Sequence, residues 1–357
     1  MKKAYLILED GTIFEGQSFG SQREIISEIV FNTSMVGYLE TLTDPSYSGQ
    51  AVCMTFPLQG NYGICREDME SDKAYASGFI TREFCGAPSN FRSGMTLEEF
   101  LIEQEVVGIS GIDTRALTRL LREKGTMNGM ITTKKHSLEE VLPRIRAYRV
   151  RGVVQQTSCK EKYTVGAPDA KYKVGLLDFG EKKNIARCLV ERGCFVTVYP
   201  AWTTAEEVLA DKPDGIMLSN GPGDPAECTE IVKEVKKLYA SDTPIFAICL
   251  GHQLMALATG AETKKLKYGH RGGNQPAKCL EENRVYITSQ NHGYYVDDKS
   301  LDPSIAVPAF VNVNDGTNEG LTYVGKKIFT VQFHPEACPG PLDTRFLFDK
   351  FIGMMEK

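Results

Sequence analysis

Short apolar runs separated by turn residues dominate the start of the chain. Ala4–Leu8 and Thr12–Phe14 are two such runs, and Asp10-Gly11 lies between them. An Asp-Gly pair in this position indicates a β-hairpin, because both central residues of a type I′ turn need positive φ. The chain is therefore predicted to begin with an antiparallel strand pair.

A helical period appears later in the first part of the chain. Leu117, Leu120 and Leu121 share one face of a helix predicted over residues 113–123. Asp113 is suited to cap its N-terminus, and Gly125 is suited to end it. Strands and a helix together predict a mixed α/β domain.

The chain shows no sustained periodicity of apolar residues between about residues 150 and 173. This stretch contains a polar run at 155–158, charges at 160–162 and a Gly-Ala-Pro-Asp sequence at 166–169. Such composition is typical of a connection between domains. We therefore predict a first domain over 1–150, a linker over 151–172 and a second domain over 173–357.

Beyond the linker, short apolar runs alternate with helical patterns. The runs cover residues 174–179, 195–199, 215–219 and 244–248, and the helical patterns cover 184–192 and 229–239. Buried strands alternating with helices are typical of an α/β domain whose sheet is at least partly parallel. The second domain is predicted to have this architecture.

Composition narrows the class of protein. The 357 residues are 42% hydrophobic and 24% charged, which suits two globular domains. A net charge of −5 argues against nucleic-acid binding, and no apolar run approaches the ~20 residues of a membrane helix. Ten cysteines at scattered spacings, without a secretory signal, suggest reduced thiols. We expect a cytoplasmic protein that binds neither nucleic acid nor membrane.

Cys249 stands at the end of one predicted strand. The sequence around it, Ile245-Phe-Ala-Ile-Cys-Leu-Gly-His-Gln253, predicts a strand, a sharp turn and a helix. A helix N-terminus aimed at a thiol favours the thiolate, so Cys249 is a candidate nucleophile. The alternative is an ordinary buried core cysteine.

A nucleophilic cysteine needs a base, and the base needs an orienting group. His334, at the end of another candidate strand, precedes Pro335 and Glu336. Proline biases His334 toward an extended conformation, and Glu336 is placed to accept a hydrogen bond from the imidazole. His-Pro-Glu alone also fits an ordinary loop, but together with Cys249 it suggests a Cys-His-Glu triad.

A glycine-rich loop follows the strand at 215–219. Its sequence, Gly221-Pro-Gly223-Asp-Pro, loosely matches a dinucleotide fingerprint, but two prolines stiffen it and it does not open the first strand–helix unit of its domain. Backbone amides here, with that of Leu250, are better suited to an oxyanion hole. A phosphate-loop-like sequence at 320–327 fails because Lys327 replaces the Ser/Thr. We find no motif for a metal.

The second-domain motifs resemble those of class I, triad-type glutamine amidotransferases. In the first domain, Phe31–Tyr47 and Ile112–Gly125 resemble the small, glutaminase subunit of carbamoyl-phosphate synthase, so the likeness spans essentially the whole chain. The resemblance implies a mixed α/β N-terminal domain followed by an amidotransferase α/β domain with a largely parallel central sheet.

The same resemblance implies the roles of particular residues. Cys249 would be the nucleophile, His334 the acid/base and Glu336 its orienting group. The implied glutamine-binding residues are Ser46, Gly221, Gly223, Leu250, Gln253, Asn291, Gly293 and Tyr294. Asn291–Tyr294 is expected to be a loop, and Ser46 would reach the pocket from the first domain.

The resemblance also implies a division of labour. This chain would hydrolyse glutamine, and a separate large subunit would use the ammonia, bicarbonate and ATP to make carbamoyl phosphate for arginine and pyrimidine synthesis. ATP and Mg²⁺ are expected on the large subunit and no cofactor in this chain. The alternatives are the amidotransferases of GMP, CTP or anthranilate synthesis, a stand-alone glutamine or γ-glutamyl hydrolase, and a non-catalytic regulatory module.

Overall fold

The structure, a computed structural model, describes residues 2–356. It divides into two compact units, Met1–Val150 and Arg151–Lys357. No helix within the described residues is long and apolar enough to cross a bilayer. Each of the ten cysteines is a free thiol.

The first unit is a closed barrel of seven strands in the order β1-β2-β8-β6-β4-β3-β9, with β5 and β7 paired separately. The predicted hairpin is confirmed, because β1 and β2 pair antiparallel. The predicted helix is confirmed as α3, where Asp113 accepts a hydrogen bond from the Ala116 amide and Gly125 adopts φ 101°. The elements are β1 (Lys3–Leu8), β2 (Ile13–Gly20), β3 (Ile25–Asn32), α1 (Tyr38–Thr43), β4 (Gln50–Met54), β5 (Leu58–Gln59), β6 (Gly78–Ile80), β7 (Glu83–Phe84), α2 (Leu97–Glu103), β8 (Val107–Ser110), α3 (Thr114–Lys124), β9 (Met127–Thr132) and α4 (Leu138–Ala147).

The second unit is built on one ten-stranded sheet, in the order β10-β12-β11-β13-β14-β19-β18-β17-β15-β16. Its elements are α5 (Val153–Thr157), β10 (Tyr163–Val165), β11 (Tyr172–Asp178), α6 (Lys183–Val190), β12 (Cys194–Pro200), α7 (Ala205–Ala210), β13 (Gly215–Leu218), α8 (Thr229–Ala240), β14 (Ile245–Ile248), α9 (Leu250–Ala258), β15 (Thr263–Cys279), β16 (Arg284–Val296), β17 (Ala306–Asn312), β18 (Asn318–Tyr323), β19 (Ile328–Val331) and α10 (Phe346–Met355).

Strand direction divides this sheet into two halves. The strands β12, β11, β13, β14 and β19 are mutually parallel, which confirms the predicted α/β class. The strands β18, β17, β15 and β16 extend the sheet by antiparallel pairing. Apolar side chains on both faces of the parallel half form two buried clusters, as expected for strands covered by helices. The carboxyl ends of the parallel strands meet at one edge, where such sheets bind ligands.

Residues 151–172, assigned to a linker from their polar composition, belong to the second unit in the structure. They contain α5 and β10, and β10 pairs antiparallel with β12. The Cys159 amide also donates to the Asp178 carboxylate at 2.6 Å. Strand pairing and this hydrogen bond hold a segment that lacks the apolar periodicity of a regular element.

Candidate active site

Cys249 occupies the sharp turn between β14 and α9. Its backbone has φ 52° and ψ −105°, a conformation that L-residues rarely adopt and that costs roughly 1–3 kcal/mol. The turn is fixed by hydrogen bonds from the Cys249 amide to the Val331 carbonyl (2.8 Å) and from the Gly251 amide to the Ser219 carbonyl (3.0 Å). A side chain at position 251 would bring its Cβ to 2.5 Å from the Leu218 carbonyl oxygen, so glycine is required there. The strand–turn–helix arrangement predicted around Cys249 is therefore present.

The surroundings of the Cys249 thiol are almost closed to solvent. The residue is 2% exposed, and its Sγ lies 3.7 Å from the Asn291 carbonyl oxygen. The Leu250 amide follows directly in the first turn of α9, where backbone amides have no acceptor inside the helix. Such an amide is available to a negatively charged oxygen formed next to Sγ.

His334 and Glu336 lie just beyond the end of β19, the parallel neighbour of β14. The Nδ1 atom of His334 is 2.6 Å from Oε1 of Glu336, and both side chains are completely buried. Backbone pairing with Ser289 holds His334 in place, through a 2.9 Å bond from its amide. Because Nδ1 of His334 is hydrogen-bonded to Glu336, Nε2 is the ring nitrogen available for proton transfer.

Opposite charges define the electrostatics of this pair. Burial, the largest effect, lowers the pKa of His334 and Lys182 lowers it further, but Glu336 and the Cys249 thiol outweigh both and raise it to about 9. Burial raises the pKa of Glu336, but His334 and Lys182 lower it to about 2. At neutral pH the pair is an imidazolium and a carboxylate, beside the Cys249 side chain.

Lys182 was not among the residues predicted from the sequence, yet its Nζ lies 3.3 Å from Oε1 of Glu336. Asn184 also hydrogen-bonds the Glu336 carbonyl through its side-chain amide. Both residues follow β11, whose carboxyl end lies at the same sheet edge as those of β13, β14 and β19. Their position in the sequence could have identified them as candidates, because residues that follow the parallel strands of this sheet lie at this edge.

The glycine loop after β13 contacts the Cys249 turn. At position 221 a Cβ would be too close to the Phe179 carbonyl and would lie 2.7 Å from the Leu250 side chain, so only glycine fits. Gly223 adopts φ 92°. The neighbouring Asn220 side chain accepts from the Lys182 amide at 3.0 Å, which ties this loop to the segment after β11.

Gln253 and the segment Asn291–Tyr294 lie on the other side of Cys249. The Gln253 side-chain amide donates to the Tyr294 carbonyl at 2.8 Å and to Gln332 at 2.9 Å. The predicted loop at 291–294 is wrong, because these residues lie within strand β16. The pairing of this strand with β15 is nevertheless irregular, because its register shifts on both sides of His270.

Ser46, the binding residue predicted in the first domain, lies in the first unit within the short helical turn Pro45–Tyr47. Its amide donates to the Asp44 carboxylate at 2.9 Å, and the residue is 8% exposed. The other predicted binding residues all belong to the second unit, around Cys249.

Comparison with known proteins places these features in families. Residues 175–354 match the family model described as glutamine amidotransferase class-I, and this range runs from within β11 to the last turn of α10. The second unit is therefore a class I glutamine amidotransferase. Residues 6–131 match the model described as carbamoyl-phosphate synthase small chain, CPSase domain.

Curated relatives match the chain from end to end. The carbamoyl phosphate synthase small chain of Clostridium perfringens is 53% identical over 98% of this chain and 99% of its own length. That of Syntrophotalea carbinolica is 49% identical over 99% and 98%. A pyrimidine-specific small chain of Bacillus subtilis is 48% identical over 99% and 96%. The chain belongs to the family of carbamoyl phosphate synthase small chains.

Proposed function

We propose that this chain hydrolyses the side-chain amide of glutamine at Cys249, with His334 and Glu336, and supplies the ammonia to a large carbamoyl phosphate synthase subunit. The observation that carries the proposal is the placement of a strained cysteine at the N-terminus of α9 beside a completely buried His334–Glu336 pair. Family membership supports the same activity.

The reaction begins with attack of the Cys249 thiolate on the amide carbon. The carbonyl π electrons move to oxygen, and the amides of Leu250 and Gly221 stabilise the oxyanion. When the tetrahedral intermediate collapses, His334 donates its Nε2 proton to the leaving nitrogen, and ammonia and a γ-glutamyl thioester result. His334 then removes a proton from water, which attacks the thioester and releases glutamate and the thiolate.

Substrate recognition is assigned to backbone and amide groups around the thiol. The residues proposed to bind glutamine are Ser46, Gly221, Gly223, Leu250, Gln253, Asn291, Gly293 and Tyr294. The buried contacts of Gln253 with the Tyr294 carbonyl and of the Cys249 thiol with the Asn291 carbonyl support the involvement of segment 291–294. Glutamine is small and polar, so hydrogen bonds to a rigid backbone are well suited to select it.

The destination of the ammonia is the large subunit. That subunit would bind ATP, Mg²⁺ and bicarbonate, so this chain needs no cofactor of its own, and the product would serve arginine and pyrimidine synthesis. Free ammonia becomes mostly non-nucleophilic ammonium at neutral pH, so transfer through an enclosed route is favoured. This requires a stable interface, and obligate interfaces bury about 2,000 Å² or more. We assign most of that contact to the first unit.

Two other functions make different predictions. A stand-alone glutamine or γ-glutamyl hydrolase works rapidly as an isolated chain, whereas a coupled glutaminase is slow until its partner binds. A regulatory module has no need of a nucleophile. The complete Cys249, His334 and Glu336 set argues against the regulatory module, and co-purification of a large ATP-using subunit from the native source separates the other two.

The test of the proposal is Cys249→Ser in the full complex. We expect glutamine-dependent carbamoyl phosphate synthesis to be abolished while synthesis from added ammonia persists, because Cys249 acts only in amide cleavage. Cys194→Ser is the matched control, since Cys194 is also buried, at 1% exposed, and lies in the same unit. The control should keep both activities. Equal loss of both activities in Cys249→Ser would show that the residue is structural.

A further inference from the structure

A second buried histidine cluster lies in the antiparallel half of the sheet. His270 on β15 pairs in register with His292 on β16, and Glu319 on β18 lies beside them. All three residues are buried, and one ligand atom from each lies within 4.8 Å of the others. The function proposed above gives a role to none of these side chains.

Both ring nitrogens of His270 face carboxylates. Nε2 lies 2.8 Å from Asp315, and Nδ1 lies 3.5 Å from Oε1 of Glu319. The Asn312 side-chain amide, 3.4 Å from Nδ1, donates to the same Glu319 oxygen at 2.8 Å. Burial lowers the pKa of His270, but Asp315 and Glu319 outweigh it and raise it to about 9. His270 and the two carboxylates therefore form a buried cluster of opposite charges.

His270 in turn packs against His292. The two rings meet edge to face, with centroids 5.0 Å apart and planes at 89°. Burial, followed by the positive charges of His270 and Arg271, lowers the pKa of His292, which stays neutral. Its Nδ1 lies 2.7 Å from the Tyr294 carbonyl and its Nε2 lies 3.1 Å from the Gln290 side chain.

His292 is in the middle of the segment proposed to bind glutamine. On one side of it the Asn291 carbonyl meets the Cys249 thiol, and on the other the Tyr294 carbonyl accepts from Gln253. A displacement of the His292 ring would therefore move backbone groups on both sides of His292, including the carbonyl that contacts the thiol.

Ordinary sheet pairing does little to fix this segment. The β15–β16 register shifts between Lys265 and His270 and again between Gly272 and Gln275, which leaves a short island of regular pairing. At Gly269, with φ 75°, a Cβ would lie 2.6 Å from the His292 carbonyl oxygen, so the two strands approach closely. Because the backbone pairing of β15 with β16 is irregular, side-chain packing must fix the position of this segment.

We propose that His270, clamped between Asp315 and Glu319, is a positioning residue that holds His292 and thereby sets the glutamine-binding geometry of Asn291–Tyr294. The inference rests on the proposed function of the Cys249 site. His270 touches neither the thiol nor the His334–Glu336 pair, so its loss should weaken glutamine binding more than it slows the chemical steps.

The test is His270→Asn in the full-length chain. We expect the KM for glutamine to rise about tenfold, the effect of one lost charged hydrogen bond, while kcat changes less than about threefold. Protection of Cys249 from iodoacetamide by glutamine should need about tenfold more glutamine, while the unprotected alkylation rate stays the same. His136→Asn, which removes another carboxylate-paired histidine in the first unit, is the matched control and should change none of these values.

A KM and a protection constant within twofold of the starting protein, or a lower kcat at unchanged KM, would overturn the inference. If His270→Asn does not fold, Asp315→Asn decides, because Asp315 is 41% exposed at the rim of the cluster and keeps a hydrogen-bonding oxygen. It should raise KM in the same direction by a smaller factor, and an unchanged KM would count against the inference. If the unaltered protein neither hydrolyses glutamine nor is protected by it, the proposed function itself fails.

Discussion

The two halves of the second unit's sheet each bury a histidine against carboxylates, but the two histidines differ in what their second nitrogen meets. In the parallel half, Nδ1 of His334 contacts Glu336, and Nε2 is directed toward Cys249. In the antiparallel half, His270 has Asp315 at Nε2 and Glu319 at Nδ1. In both, carboxylates overcome burial and raise the pKa to about 9.

A raised pKa therefore does not by itself identify a catalytic histidine. Proton transfer needs a ring nitrogen that faces the reacting atoms, and of these two histidines His334 is the one with a ring nitrogen directed toward Cys249. His270 holds the same charge in a closed arrangement, which is suited to fixing the position of its neighbours. The difference follows from the topology, because His334 comes at the carboxyl end of a parallel strand beside Cys249, whereas His270 lies within a long antiparallel strand.

The largest test of this contrast is His334→Asn. We expect kcat for glutamine hydrolysis to fall about 10³-fold, since general acid and base catalysis are both lost. Slow attack by the thiolate should continue, so a γ-glutamyl thioester should accumulate on Cys249 and be detected by mass spectrometry of the quenched protein. Ammonia-dependent synthesis by the complex should be unchanged.

The contrast between the two histidines would be contradicted if the effects of their substitutions on kcat were reversed. A mild His334→Asn phenotype together with a severe loss of kcat in His270→Asn or His292→Asn would show that the base is assigned wrongly. A γ-glutamyl adduct on a cysteine other than Cys249 would show that the nucleophile is assigned wrongly.

A smaller effect is expected from Glu336→Gln. The amide keeps a hydrogen-bond acceptor for Nδ1 but loses the negative charge that raises the pKa of His334. The pKa of His334 should fall, so the pH limb of kcat that follows its deprotonation should move to lower pH, with kcat reduced about tenfold. Glu319→Gln, the equivalent change beside His270, should raise KM and leave this limb in place. A limb that stays fixed in Glu336→Gln would separate Glu336 from the control of His334.

Local pattern was sufficient to predict much of the fold and the centre of the site. The Asp-Gly hairpin, the capped helix α3 and the strand–turn–helix around Cys249 each depend on neighbours within a few residues. The pairing of His334 with Glu336 could be predicted for the same reason, because only Pro335 lies between the two residues.

What escaped prediction depends on contacts between distant segments. Lys182 reaches Glu336 across more than 150 positions of sequence. Its place after a parallel strand puts it at the functional edge of the sheet, but no local pattern identifies Glu336 as its partner. Asn291–Tyr294 was predicted as a loop, but it lies in strand β16, which is formed by backbone pairing with a strand distant in sequence. Residues 151–172 have no apolar period, yet β10 joins the sheet through backbone pairing with β12, which composition does not record.

The last predicted effect is on stability rather than on catalysis, and it isolates the charge of His270. The folded-state pKa of His270, about 9, is above its ordinary value of 6.5, so its ion pairs contribute fully to the free energy of unfolding below about pH 6.5 and are lost as pH rises through about 9.

His270→Asn also removes packing, but that loss is the same at every pH. His334, whose pKa is raised as well, is present in both proteins and cancels. The difference in the free energy of unfolding between the two proteins should therefore shrink by about 3 kcal/mol between about pH 6 and pH 10, measured by urea denaturation. An equal difference at both pH values would mean that His270 is neutral in the folded chain, and the charge cluster that distinguishes the antiparallel half would not exist.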